Sequence, residues 1–362
     1  MLVKYLLKEK KEMNKFTKTL LAVTLASSMV GCSSSSSDAT SASTSSKAGT
    51  GKKIALVTNT VGSNTFLTQM IEGLEDCAEE YGFEASNVEC VDTAAYSENI
   101  RAYAEEGYDL IIGGGWESAD PMSEICEDYP DTAFALIDTE VDNDRIKCIS
   151  YNEQEGAYII GALAALVVDG DSHVYGGVHV SEGSGSWKYR YGFMEGVLSQ
   201  DPDATFVFNY VGSYNDPAKA KTLAEQEAAQ GAKFINAACA SGDSGVFEAA
   251  QEKEFYTSGQ DTDETSADNP WIVSSQIKDT YTTITKIIDS YFSDWNTDNE
   301  VWGINEGAIG AVNVNYDSEN PRSDRLSDED VELLKQIVED IKSGKIDLSE
   351  VPEEDTYSAS KK

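Results

Sequence analysis

The chain has 362 residues, with 27 Lys+Arg against 64 Asp+Glu and a formal net charge of −37. So acidic a field repels nucleic acid and offers no polybasic route to anionic lipid. Neither class of partner is expected, and composition alone points only to a large polar-surfaced protein.

Lys15 to Cys32 joins a basic start, an apolar run from Leu20 to Val30 and Gly31 directly before the cysteine. This is the pattern of a secretory signal with a lipidation site. The run is shorter than the roughly 20 residues of a membrane span. Residues 1–31 are therefore expected to be a signal peptide, with Cys32 acylated. That lipid is expected to be the sole attachment to the extracytoplasmic face of the cell membrane. Met13-Asn14-Lys15 is itself a conventional signal start. Residues 32–51, opened by a serine run, have almost nothing to bury and read as a flexible tether. Folded sequence is expected from Lys52 to Val351, followed by a polar tail over 352–362.

From Lys53 the pattern alternates strand and helix. Strands are predicted at 54–57, 88–91, 110–112 and 133–137, with helices at 66–81, 96–106 and 122–129 between them. A helix over 155–168 opens a second set. Its strands are 174–178, 205–211, 234–238, 255–259 and 271–275; its helices are 187–199, 218–230 and 246–253. Apolar strands between amphipathic helices imply parallel sheets covered on both faces. About 300 residues exceed what one core usually holds. The expected fold is α/β, two doubly wound parallel-sheet lobes joined by a hinge. The first lobe takes 52–150 with part of 273–302, and the second 151–272 with part of 303–351. Crossings are expected near Ile149–Asn152, Trp271–Ser275 and Trp302–Gly303. In such sheets ligands sit beyond the carboxyl ends of the strands, so two facing lobes make a cleft.

Apart from Cys32 the cysteines are Cys77, Cys90, Cys126, Cys148 and Cys239, an odd number without a C-x-x-C pair. They read mostly as small buried hydrophobes, with at most one or two disulfides. Gly242-Asp243-Ser244-Gly245 imitates a protease nucleophile motif but joins a strand to a helix. It reads as a turn whose free N–H groups meet a ligand oxygen. Asp261-Thr262-Asp263-Glu264 starts like a calcium loop, yet Ser266 stands where the sharp turn needs glycine. His173 and His179 have no cysteine beside them, so no zinc site is expected. No general acid, base and nucleophile assemble, and the chain is expected to bind without catalysis, metal or cofactor.

Four stretches carry a resemblance. Ile149 to Gly161, reading ISYNEQEGAYIIG, is close to "F-x-x-x-E-A-A-Y-L-x-G", and Tyr191 to Val197 follows. Val211 to Lys221, reading VGSYNDPAKAK, matches "G-S-[FY]-x-D-P-x-K-G-K", and Ala237 to Phe247 is similar to "A-G-x-x-G-x-G-V". In order and together they resemble the basic membrane protein family of substrate-binding lipoproteins, nucleoside-binding components of ATP-binding-cassette importers. The resemblance implies a type I periplasmic-binding fold, a nucleoside ligand (a purine nucleoside among them) and a permease partner; the chain itself is expected to be a monomer. A sugar carrier of the same fold and a sensory or adhesion lipoprotein are the other readings.

The resemblance also implies ligand positions. Phe66, at a helix start, matches the aromatic that stacks on the base, although it shares helical spacing with Met70 and Leu74. Asp261 and Asp263 match an acidic pair that accepts from ribose hydroxyls, and Lys278 matches the lysine of "S-x-x-K". Asn59 stands where the family carries aspartate, and Leu67 where it carries asparagine. Gly242 and Ser244 are expected to present donors, Asp138 to face the cleft from a strand end, and Trp187 and Trp116 to add aromatic surface.

Overall fold

The computed structural model describes residues 47–168 and 172–352. Cys32, the signal segment, the tether through residue 46 and the tail from residue 353 lie outside the described residues. Residues 47–51, read above as the end of the tether, instead turn against the first lobe. Gly49 is buried there, and its N–H donates to Tyr81 O at 2.8 Å.

The first lobe holds β1 (Lys53–Thr58), α1 (Thr65–Tyr81), β2 (Glu84–Glu89), α2 (Thr93–Glu105), β3 (Leu110–Gly114), α3 (Ala119–Ile125), β4 (Ala133–Ile137) and β5 (Ile146–Tyr151). The second holds α4 (Glu153–Val167), β6 (Val174–His179), α5 (Ser184–Gln200), β7 (Thr205–Tyr210), α6 (Pro217–Ala229), β8 (Phe234–Ala238), α7 (Asp243–Lys253), β9 (Tyr256–Asp261) and β10 (Ile272–Lys278). The chain then returns to the first lobe for α8 (Thr280–Ser293) and β11 (Glu300–Trp302). It ends in the second with β12 (Ile309–Ala311) and α9 (Asp328–Lys342). The sheets run β11-β5-β4-β3-β1-β2 and β12-β10-β9-β8-β6-β7. Every pairing is parallel except β10 with β12.

Alternation along β1 shows why helices cover both faces. Ile54 and Leu56 pack with Leu67, Met70 and Leu74 of α1, while Ala55 and Val57 pack with Tyr96, Ile100 and Met122 on the other side. Successive strand residues point to opposite faces, so a wholly apolar strand needs cover on both. The edge strand β2 begins at Glu84, upstream of the predicted 88–91, because backbone pairing with β1 from Lys53↔Glu84 decides its position. Strand β5 and helices α8 and α9 fall outside the predicted alternation, although α9 carries a capping box of Ser327 with Asp330. The five described cysteines are all free and buried.

Among the described residues three crossings join the lobes: Tyr151 to Glu153, Lys278 to Thr280, and Trp302 to Ile309. The second lies several residues beyond the expected Trp271–Ser275. Gln276, Ile277 and Lys278 still pair with Ala311, Gly310 and Ile309 of β12, which holds β10 extended to the edge of the cleft. Lys278 is thereby fixed at a crossing.

Helices α4 and α5 meet backbone to backbone. A Cβ on Gly161 would run into Phe193 O, and one on Gly196 into Tyr158 O. Gly161→Ala is expected to lower stability by about 1–3 kcal/mol, the usual cost of overpacking. Gly185→Ala, whose Cβ meets nothing within 4 Å, is expected to leave it unchanged or raise it. Urea unfolding of both variants checks the contrast.

Candidate functional site

The carboxyl ends of the strands converge on one cavity of about 510 Å³. Its wall takes Asn59 after β1, Gly114 to Glu117 after β3, Asp138 after β4 and Ser150 with Glu153 at the first crossing. The second lobe adds Val180 and Ser181 after β6, Ala238 and Ala240 after β8, Gln260 and Asp261 from β9, and Lys278 from β10. Asp138, Ala240 and Asp261 sit in the left-handed region, with φ of 70°, 57° and 68°. Such backbone costs of order 1–3 kcal/mol per residue and tends to gather where a site over-determines the chain.

Lys278 is the centre of this wall. Its side chain is 3 % exposed, and its ammonium lies 2.5 Å from Asp138 Oδ1 and 2.9 Å from Glu153 Oε1. It also stands 5.1 Å from the centroid of the Phe66 ring and 4.8 Å from that of Tyr151. Lys188 approaches Glu153 from the other side, at 3.0 Å, and donates to Tyr151 O at 2.7 Å. Local capping aims these groups. Asn64 caps α1 by accepting from Phe66 N at 3.1 Å, which fixes the ring at the helix start. Thr280, just past the second crossing, donates to Phe66 O at 2.7 Å and ties the crossing to α1.

Burial alone would lower the pKa of Lys278, but Asp138 and Glu153 reverse this and raise it well above the ordinary value. Burial likewise opposes ionisation of Glu153; Lys278 and Lys188 outweigh it and hold that carboxyl down at about 2. Asp261 is pushed up, chiefly by burial and against the pull of Lys278. Asp138 is also raised, by burial first and by Glu153, with Lys278 opposing. Among the described residues of the wall, Glu117, Asp138, Glu140, Glu153 and Asp261 face only Lys188 and Lys278 as cations. The cavity is therefore built for neutral groups rich in hydrogen-bond donors, and it disfavours anions.

Contacts across the cleft link its rims. Trp116, 63 % exposed, donates its ring N–H to Tyr214 O–H at 3.0 Å. Gln69 of α1 donates to Lys278 O at 3.3 Å and to Asp261 O at 3.5 Å.

Of the residues singled out from sequence, Asn59, Phe66, Trp116, Asp138, Asp261 and Lys278 line the cavity. Trp187, Gly242, Ser244 and Asp263 stand outside the lining. On α5 the lining residues Gly185, Ser186, Lys188 and Tyr189 share one face, which turns Trp187 to the opposite side. Gly242 closes a short turn over the Cys239 sulfur, and the Ser244 hydroxyl folds back to donate to Ser241 O at 3.0 Å. Asp243, between them, is buried and accepts from Cys239 N at 2.7 Å. The Asp263 carboxylate is taken by the hydroxyls of Thr265 and Ser318. His173 pairs with Asp201 at the surface, whereas His179 is buried with Nε2 3.1 Å from Asn236 Oδ1.

Residues 52–350 match the family model described as ABC transporter substrate-binding protein PnrA-like. The chain belongs to this family. It is 27 % identical over 241 residues to a CD4+ T-cell-stimulating antigen of Listeria innocua, covering 64 % of this chain and 66 % of that protein, just under two thirds. It is 26 % identical over 263 residues to the ABC transporter nucleoside-binding protein BmpA of Lactococcus lactis, covering 70 % and 71 %. Among solved structures it is similar in fold to an ABC transporter solute-binding protein from Aeropyrum pernix K1. That likeness has a TM-score of 0.74 at 22 % identity, over 85 % of this chain and 96 % of that one.

Within this substrate-binding architecture, Glu117, Glu153, Lys188, Tyr189, Tyr214 and Gln260 also line the cavity. Glu153 carried a legible signal, an acidic residue opening a helix that is otherwise apolar to Val167 apart from Gln154 and Glu155. Gln260 carried none. Its Nε2 donates to Tyr189 O–H at 3.2 Å and to the adjacent Asp261 Oδ1 at 3.1 Å, so half of its role is set by a residue distant in sequence.

Removing the central cation leaves Asp138 and Glu153 without their shared counter-ion. Lys278→Met is expected to lose about 3–5 kcal/mol of stability at pH 7.5, the cost of breaking a buried pair. The uncompensated carboxyls then bind protons more tightly folded than unfolded, so stability is regained as pH falls. The deficit relative to wild type is expected to shrink between pH 7.5 and pH 5 in urea unfolding. An equal deficit at both would contradict the assignment.

Proposed function

We propose that this protein captures a nucleoside between its lobes and delivers it to the permease of an ABC transporter. The observation that carries the reading is the Lys278–Asp138–Glu153 cluster, with Asp261 close by, set against the Phe66 ring. Charged donors and acceptors suit the hydroxyls of a ribose. A flat aromatic face beside them suits a base, and such stacking is worth roughly 1–3 kcal/mol per base. Family membership and the name of the Lactococcus relative support the same choice. The acidic lining favours a nucleoside over its phosphorylated forms.

Capture works by closure. Asp138 stands on the first lobe and Lys278 at the second lobe's crossing, so their pair bridges the two lobes at the floor of the cleft. A ligand bonded to both lobes adds its own contacts to the closed form and shifts the population towards it. Cleavage before Cys32 and acylation there would hold the protein on the outer face of the membrane, within reach of the permease.

Thermal unfolding with a panel of nucleosides tests the reading. Ligand at 100 times its dissociation constant adds about 2.7 kcal/mol. A rise in Tm is expected with at least one nucleoside, absent with its 5′-monophosphate and lost in Asp261→Ala. A rise with ribose or galactose only, or an equal rise with the nucleotide, would sink it.

A further inference from the structure

We infer that Glu117 reads the base by accepting two adjacent N–H donors, and so selects a guanine-type nucleoside; this rests on the nucleoside reading above. Glu117 follows Trp116 in the short turn after β3, is half-buried, and lines the cavity. Its Oε1 accepts from Asn59 Nδ2 at 3.0 Å. Among the described residues no lysine or arginine pairs with it. The two cations of the cavity are engaged elsewhere, Lys278 by Asp138 and Glu153, and Lys188 by Glu153 and Tyr151 O. A carboxylate offers about four acceptor sites, and Asn59 takes one.

The same bond settles what Asn59 contributes. Its amide nitrogen gives one hydrogen to Glu117, and its Oδ1 is buried without a partner. Asn59 therefore orients the carboxylate through one of its two amide hydrogens. The Trp116 ring N–H at this rim is committed to the Tyr214 hydroxyl. A ligand edge that meets Glu117 thus meets a carboxylate with acceptor sites to spare.

The complement of a carboxylate fork is a pair of parallel N–H donors. Guanine offers N1–H and its 2-amino group side by side. Hypoxanthine offers N1–H alone, and adenine sets its amino group beside a bare N1 that would face the charge. Loss of one charged hydrogen bond is worth roughly tenfold or more in affinity.

Isothermal titration of the ligand-free protein with guanosine, inosine and 1-methylguanosine decides the matter. Guanosine is expected to bind roughly tenfold or more tightly than either analogue, since each lacks one donor. In Glu117→Gln, where the amide accepts at one atom only, the preference is expected to fall to within about threefold. No preference in the wild type, or one that survives in Glu117→Gln, would overturn the role of Glu117 and leave nucleoside binding intact. Failure of every nucleoside to bind would remove both readings. Should Glu117→Gln not fold, the two analogues on the wild type decide alone.

Discussion

A lysine ammonium taken out of water must be neutralised, and the arrangement of this protein follows from where that happens. Lys278 closes strand β10 at a point where the chain leaves one lobe for the other. The carboxylates that keep it charged come from the end of β4 in the first lobe and from the start of α4 at another crossing. One buried charge thus ties together two sheets and two crossings. Taking it away would leave acidic groups from both lobes facing each other across the cleft.

The doubly wound design brings those groups together without effort from any single segment. Parallel strands aim their carboxyl ends the same way, and two such sheets facing one another pool the residues that follow each strand. The strained backbone at Asp138, Ala240 and Asp261 fits this picture, since all three follow or end strands at the cavity wall. The wall is acidic on balance, with its cations already engaged, so neutral ligands with many donors match it better than anions. Trp116 and Tyr214 close the rim above, joined by a hydrogen bond between exposed rings.

Much of this was legible in the chain. Apolar strands between amphipathic helices gave both sheets, and Asp138, at a strand end, lines the cavity. Reach and rotation were not legible. The extent of β10 depends on its pairing with β12, some 30 residues later, which no local pattern encodes. Trp187 and Lys188 are neighbours in sequence, yet the helix turns only Lys188 to the cavity. Asp261 and Asp263 look alike in a linear reading, whereas Asp263 is drawn aside by hydroxyls of Thr265 and of the distant Ser318. Gly242 and Ser244 have free-standing motif character, but their local turn bonds absorb it. Glu117 is one more glutamate in a chain rich in them; only its bond to Asn59 across 58 residues singles it out.

The central claim is that the Lys278 cluster serves a neutral nucleoside held between the lobes. The most direct measurement is to denature protein purified without added ligand and identify the released small molecules by mass spectrometry. The account predicts an unphosphorylated nucleoside in amounts comparable to the protein. A hexose, or a nucleotide released intact, as the bound species would contradict it.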